Sequence, residues 1–274
     1  MSRSNYDKQP VVDVPGGEGR CVTGWDAVCE KLKEAVSARS APRTVLTVEC
    51  YIGVVEEEIL EALQALNPVR VIHSSDAFLP EDVIDGKVAP FNGGDDPLFG
   101  WISNLCMTDF MDREKLDQLA AEIEQVQEGL VIVLGSGASL IHPGDILVYA
   151  DLARWEAQLR MRRDEISNLG VENRDLKWSL QYKRAYFIDW RVCDKLKREL
   201  MGRWDFVLDT NKQGDPRLAD GEAVRAGLSE AAQRPFRVVP YFDAAPWGGQ
   251  WMKEACDLDR DVENWGWCFD CVPE

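Results

Sequence analysis

Hydrophobic positions along the chain switch between the spacing of amphipathic helices and the short apolar runs of buried strands. Steps of three and four residues predict helices over residues 25–38, 56–66, 114–127 and 151–168, with two more near 190–202 and 221–233. Runs of β-branched and apolar residues predict strands at 44–51, 69–73, 129–135, 145–149 and 205–208. We expect residues 1–24 to form an extended lead-in and residues 80–112 to be irregular.

Strands that alternate with helices of this length are typical of βαβ units. The pattern therefore predicts an α/β fold, with a mainly parallel sheet covered by helices on both faces. We expect a lead-in and helix over residues 1–40, followed by an α/β domain over residues 41–233. Residues 234–274 are rich in Trp and Gly, which favours a short β-rich segment at this end.

The net charge of the chain argues against some classes of binding partner. The 274 residues include 31 Lys and Arg against 48 Asp and Glu, a net charge of −17. Nucleic acids and anionic membranes attract basic surfaces, so neither is expected as a partner. The first residues lack the apolar core of a secretory signal, and no apolar run has the length of a membrane span. We expect a cytoplasmic protein with reduced cysteines.

No metal site is expected from the cysteine and histidine pattern. Cys268 and Cys271 form one Cys-x-x-Cys pair, and His73 and His142 are the two histidines of the chain. A tetrahedral zinc site needs four ligands, which these residues do not supply in one obvious arrangement. The simpler interpretation is that the cysteines are structural thiols.

One segment of this acidic chain is basic. Residues 151–203 contain 13 Lys and Arg against nine Asp and Glu. Arg160, Arg162 and Arg163 lie on one predicted helix, and guanidinium groups bind phosphate in a bidentate manner. These residues are candidates for a phosphate site. The alternative is a solvated helix whose arginines pair with nearby carboxylates.

Two turns follow predicted strands at positions where an α/β protein could bind an anion. The turn after the first strand, residues 49–56, lacks the G-x-x-x-x-G-K-[ST] pattern and runs into Glu56, which would repel a phosphate. Phosphoryl transfer at this turn is therefore not expected. The second turn, 135–139, contains Ser136 and Gly137, whose backbone amides could hold a phosphate. A G-x-G turn is also a common structural turn.

Asp76 follows the second predicted strand, at the edge of the sheet where ligands of parallel sheets usually bind. It could accept a proton from a substrate hydroxyl or help to bind a metal. The simpler interpretation is that it caps the turn in which it lies.

The tail carries a family resemblance. Residues 237–254, with Trp247-Gly248-Gly249 inside them, resemble the opening of a type I phosphomannose isomerase, which is a cupin. Residues 264–274 resemble the next strand of that family. The whole chain is similar to the first part of bacterial class I mannose-6-phosphate isomerase-like proteins, in which a uridine-kinase-like α/β domain precedes the cupin.

The α/β part carries the second half of this resemblance. Arg160-Met161-Arg162-Arg163-Asp164 is similar to the Arg-rich lid helix of the uridine kinase family, and Ser75-Asp76-Ala77-Phe78 resembles its substrate-side Asp turn. The resemblance implies a degenerate kinase-like domain over residues 41–233 and the opening strands of a cupin over residues 234–274.

What the resemblance implies for function leaves two hypotheses. The first is a member of the isomerase family, which interconverts aldose and ketose hexose phosphates in carbohydrate metabolism with zinc. The zinc ligands of that family have no counterpart in this chain, so we expect the chain alone to be inactive. The second is a kinase-like module that binds a nucleotide or sugar phosphate without catalysis. The tail would then contact a cupin domain or a second copy of the chain.

Overall fold

The computed structural model describes residues 11–96, 98–233, 236–241 and 268–273, together with the single residues 254, 257 and 259. These residues belong to two compact units. The larger unit comprises residues 17–225 and contains the seven-stranded sheet. The smaller unit comprises residues 1–16 and 226–274.

The helices and strands follow each other in the order of an α/β protein. The strands of the main sheet are β1 (Cys21–Thr23), β2 (Arg43–Cys50), β3 (Arg70–His73), β4 (Gly129–Gly135), β5 (Ile146–Asp151), β6 (Phe206–Asp209) and β7 (Arg217–Asp220). The α-helices are α1 (Trp25–Ser37), α2 (Glu56–Leu63), α3 (Glu81–Val88), α4 (Arg113–Gln125), α5 (Ala138–Ile141), α6 (Arg154–Arg162), α7 (Trp178–Arg184), α8 (Trp190–Leu200) and α9 (Gly221–Gln233).

The first parallel strand lies in the middle of the sheet. The strand order is β1-β7-β6-β5-β2-β4-β3, and the five strands from β6 to β3 are parallel to each other. Strand β7 joins β6 in antiparallel orientation, and β1 joins β7 in the same way. Strand β2 has β4 on one side and β5 on the other. The chain runs from β2 to β3 on the β4 side, whereas it runs from β5 to β6 in the opposite direction. Such a switch point opens a crevice at the carboxyl ends of the strands.

Both faces of the sheet are buried, as the apolar strand sequences require. Leu46 and Ile132 belong to the larger hydrophobic core, whereas their neighbours Val45 and Val131 belong to a second core that contains Ile123 of α4. Neighbouring residues of one strand thus point to opposite cores. The predicted α/β class, with a mainly parallel sheet between helices, is confirmed.

Several predicted elements are wrong in extent. The helix predicted over 151–168 is only the nine residues of α6, and the chain bends at Asp164, whose φ is +55°. Residues 80–112 were expected to be irregular but contain α3, in which Ile84 and Val88 are buried. The helix predicted near Trp190 is preceded by α7 and a π-helical turn, Ala185–Asp189, that joins α7 to α8. The edge strand β1 and its neighbour β7 were not predicted.

In the smaller unit, β8 (Phe236–Tyr241) and β9 (Cys268–Pro273) form a two-stranded antiparallel sheet. Residues 242–253 and 260–267, which include the Trp247-Gly248-Gly249 segment, lie outside the described residues. Among the helices of the described ranges, none combines the length and apolar character that a membrane crossing requires.

Candidate functional site

A cavity of about 660 Å³ opens at the carboxyl ends of β2, β3 and β4. Its volume is within the range of about 300–1,000 Å³ that is usual for small-molecule sites. Its walls come from the turn after β2, the first turns of α2, the ends of β3 and β4, and the segment 165–174. Polar residues that line it include Glu56, Glu57, His73, Ser75 and Ser136. The cavity therefore occupies the crevice that the strand order predicts.

The turn after β2 is held in place by the protein's own groups. The Tyr51 amide donates to the Ala150 carbonyl at 2.8 Å, and the Val54 amide donates to the Tyr51 carbonyl at 3.1 Å. The carbonyl of Gly53 accepts from Nη1 of Arg160 at 2.8 Å. In a phosphate-binding turn the amides would point towards an anion. Here two of them are used inside the turn and the sheet.

The second glycine-rich turn, residues 135–139, already binds an anion, and that anion is Glu49. This side chain lies on β2 and is 1 % exposed. Its two carboxylate oxygens accept from the amide of Gly137 at 2.6 Å and from the amide of Ser139 at 2.8 Å. Gly137 has a φ of +83°, which favours glycine and turns its amide towards the strand. The amides predicted to hold phosphate therefore have an internal acceptor.

A second carboxylate approaches the same turn from the cavity side. Glu56 is the first residue of α2, and the nearby amide of Ser136 lowers the pKa of its carboxylate. It lies against Gly135, where a Cβ atom would be 3.0 Å from Oε2 of Glu56 and 2.2 Å from Oγ of Ser74. Only glycine leaves room for this approach. Two amides of this turn thus donate to Glu49, and Glu56 lies against the same turn from the cavity side.

Both glutamates have raised pKa values. Burial raises the pKa of Glu49 from 4.5 to about 7, against the effect of the Ser139 and Gly137 amides, which lower it. Burial likewise raises the pKa of Glu56 to about 7, opposed by the Ser136 amide and reinforced by the charges of Glu57 and Glu49. The charge of Glu49 is thus one of the causes that raise the pKa of Glu56.

The cavity carries more negative than positive charge. Its lining contains five glutamates, Glu56, Glu57, Glu81, Glu165 and Glu172, against the cations Lys115 and Arg174. Nζ of Lys115 donates to the carbonyl of Phe78 at 3.1 Å, and Arg174 pairs with Glu172 at 3.5 Å. A bare phosphate would meet repulsion here, because like charges in a partly enclosed site are weakly screened.

The three predicted phosphate-binding arginines occupy three different environments. Arg160 is buried, and it donates to the carbonyls of Gly53 and Thr210 and to Glu156, so that it ties the β2 turn to the end of β6. Arg163 pairs with Glu156 at 3.0 Å and with Glu165 at 2.7 Å. These contacts match the alternative of arginines paired with neighbouring carboxylates. Their role in binding phosphate stays a prediction.

Arg162 lies between two tryptophan rings. Its guanidinium carbon is 4.5 Å from the ring centre of Trp178 and 5.9 Å from that of Trp155. It is not among the residues that line the cavity. In the described part of the chain, Arg160, Arg162 and Arg163 thus do not converge on one common site.

Asp76 lies in a short 3₁₀ turn, Ser74–Ala77, and is exposed. Its neighbour Ser75 lines the cavity, whereas Asp76 does not. A substrate-side role for Asp76 therefore stays a prediction.

A buried polar network that was not predicted from sequence holds one wall of the cavity. Asp189, in the π-helical turn, is 0 % exposed and accepts from Nδ2 of Asn168 at 2.6 Å. It also pairs with Nε of Arg184 at 3.4 Å, and Arg184 donates to the carbonyl of Leu169 at 2.8 Å. Because Asn168 and Leu169 line the cavity, the network fixes that wall to helix α7.

Comparison with known proteins places this fold and site in a family. The model of a family described as a domain of unknown function (DUF8485) matches residues 24–233. The chain belongs to this family. The matched residues include β2 to β7 and the whole lining of the cavity. No curated protein matches the sequence.

Among solved structures, one similar chain is described as a candidate fructose transport system kinase from Silicibacter sp. TM1040. It is 13% identical with a TM-score of 0.41, and the alignment covers 64% of this chain and 94% of that one. The isomerase and cupin predictions rest on tail segments that include Trp247-Gly248-Gly249, outside the described residues, and they stay predictions. The same holds for zinc, for contacts through residues 234–274 and for a cytoplasmic location.

Proposed function

We propose that the body formed by residues 17–225 is a binding module for a neutral, hydroxyl-rich small molecule, such as a sugar or a nucleoside, and that it does not transfer phosphoryl groups. One observation carries the proposal: two amides of the 135–139 turn, which could bind a phosphate, donate to Glu49, and the carboxylate of Glu56 lies against the same turn. Phosphoryl transfer needs cations and free donors around the transferred group. This crevice instead presents carboxylates.

The lining suits a neutral ligand. Carboxylates and hydroxyls such as those of Glu56, Ser75 and Ser136 exchange hydrogen bonds with ligand hydroxyls. Leu60 and Phe78 provide apolar surface for the flat side of a sugar ring or a base. This proposal keeps the sugar or nucleoside part of the sequence-based hypothesis and places the phosphate, where a ligand has one, outside the cavity.

Matched pairs of ligands test the proposal. Calorimetric titrations would compare mannose with mannose 6-phosphate and uridine with uridine monophosphate, in the presence of a metal chelator. We expect the neutral member of a pair to bind at least as tightly as its phosphorylated partner. Binding of the phosphorylated members alone would refute the proposal, and so would the absence of binding by all four compounds.

Two neighbouring variants locate the site. Ser75→Tyr places a ring in the cavity, whereas Asp76→Asn changes the adjacent exposed residue without entering it. We expect Ser75→Tyr to abolish binding and Asp76→Asn to leave it within about two-fold. Equal losses in both variants would favour the predicted substrate-side role of Asp76 over the cavity.

The isomerase hypothesis has a separate test, because it concerns the tail and not the cavity. The full chain, supplied with mannose 6-phosphate and zinc, is expected to show no turnover. Appreciable turnover would contradict the prediction that the catalytic zinc ligands are missing from this polypeptide.

A further inference from the structure

We propose that ligand binding in the cavity is coupled to protonation. Glu49 and Glu56 share one proton at neutral pH, and a neutral ligand that covers Glu56 binds together with a proton. This inference rests on the proposed function for its binding step. The shared proton itself belongs to the ligand-free protein and is tested there.

The geometry brings the two carboxylates to one small turn. Gly137 and Ser139 donate to Glu49, and Glu56 lies against Gly135 of the same turn, where the nearby amide of Ser136 lowers its pKa. The lack of a side chain at Gly135 allows Glu56 to approach the turn from the cavity. Three amides from four consecutive residues stabilise negative charge, but they carry only partial positive charges.

No full positive charge balances the pair. The titratable groups near the two carboxylates are Cys50 of β2, Glu57 of α2, Tyr149 of β5 and Cys193 of α8. Each of these side chains is neutral when protonated and negatively charged when deprotonated, so none of them supplies a positive charge. Within the described ranges, neither Glu49 nor Glu56 forms an ion pair with a Lys, Arg or His. Two negative charges so placed cost free energy, and one proton removes that cost.

The two positions differ in their access to a ligand. Glu49 lies behind the turn and does not line the cavity, whereas Glu56 does. A neutral ligand over Glu56 would replace water and disfavour its charged form, since desolvation raises the pKa of a carboxyl group. The protonated carboxyl can also donate a hydrogen bond to a ligand oxygen. Ligand binding and protonation of the pair should therefore favour each other.

The first experiment follows the carboxyl carbons of ¹³C-labelled glutamates by NMR in the ligand-free full chain, between pH 4 and 9. We expect two coupled glutamate signals whose titration extends to about pH 7. In Glu56→Gln one of them disappears and the other shifts to lower pH. The matched control Glu57→Gln, also in the first turn of α2, keeps both signals, with that of Glu56 moved slightly to lower pH because the charge of Glu57 is lost. A wild-type spectrum in which every glutamate titrates below about pH 5 would overturn the proposal without any variant.

The second experiment measures the proton directly. Titrations with whichever neutral ligand binds, in two buffers of different ionisation enthalpy, give the number of protons taken up. We expect uptake of up to one proton near pH 7, and an affinity that falls by as much as ten-fold per pH unit above neutrality. Glu56→Gln should remove both effects. Binding without proton uptake would overturn the linkage and leave the proposed function intact. If none of the neutral ligands binds, the proposed function fails, and the NMR titration alone decides whether the proton is shared.

Discussion

Asp189 and Glu49 are both buried carboxylates near the same cavity, and the protein compensates their burial in two different ways. Asp189 meets a guanidinium, that of Arg184, and an amide side chain, that of Asn168. Among the residues that the structure describes, Glu49 meets only backbone amides, those of Gly137 and Ser139. Both lose water almost completely, with exposures of 0 % and 1 %.

The difference shows what each arrangement is suited for. Burial raises the pKa of Asp189, but the charge of Arg184 acts against this first, followed by the hydrogen bond from Asn168. A paired charge of this kind holds neighbouring segments together, here the wall at Asn168 and helix α7. Amides alone leave Glu49 with a pKa of about 7, where small changes in its surroundings change its protonation. The ion pair of Asp189 favours a rigid cavity wall, whereas the amide-bound Glu49 can change its protonation when its surroundings change.

The largest effect is expected when the paired arrangement is broken. Asp189→Ala leaves Arg184 with one carboxylate partner, Asp85, on its exposed side, and removes one of the two acceptors of Nδ2 of Asn168. Removing one member of a buried pair is strongly destabilising, because the other charge stays buried. We expect the free energy of unfolding to fall by about 3 kcal/mol in denaturant titrations.

The control for this prediction is Asp175→Ala, which removes an exposed carboxylate from the same part of the chain. It should change stability by less than about 0.5 kcal/mol. If Asp189→Ala costs no more than this control, the network does not hold the cavity wall.

A smaller effect is expected from the residue that lets Glu56 reach the turn. In Gly135→Ala the new Cβ would lie 2.2 Å from Oγ of Ser74, at a φ of +124°. We expect a loss of about 2 kcal/mol, because both the clash and the backbone conformation disfavour alanine. Gly86→Ala is the matched control: it lies in α3 with open space around it, and helix propensity favours alanine there. Equal stability of the two variants would show that Glu56 does not need this close approach.

The sequence patterns predicted the sheet better than the segments around it. Apolar runs such as 129–135 mark strands that are buried on both faces, and β4 has these bounds. Helix α3 was missed because Asp85 and Gly86 interrupt it, although Ile84 and Val88 are spaced by one helical turn. The helix over 151–168 was too long because a charged segment keeps helical spacing even where no apolar face holds it to the core.

The site was harder to predict, because it depends on residues that meet only in three dimensions. Glu56 was identified as unfavourable for phosphate, but its approach to Gly135 links two separate turns. Glu49 did carry a signal: it is a charged residue inside the apolar run of β2, and a buried charge needs partners. The basic residues were prominent in the sequence, yet Arg160 and Arg163 are engaged by neighbouring groups.

The smallest expected effect concerns the pH dependence of stability, and it separates the two buried carboxylates most sharply. Because the pKa of Glu49 rises from 4.5 to about 7 on folding, the folded protein binds more protons than the unfolded chain between these values. The stability that protonated Glu49 contributes is therefore fully present below pH 4.5 and is lost as the pH rises through 7. Glu49→Gln does not titrate, but it leaves one amide of the 135–139 turn without a good acceptor. We expect it to be less stable than wild type by about 1–2 kcal/mol at pH 5 and at least as stable as wild type at pH 8.5, in urea titrations at both pH values. Glu57→Gln should follow wild type at both. A constant difference between Glu49→Gln and wild type across this range would mean that Glu49 is charged throughout, as a carboxylate with a full countercharge would be.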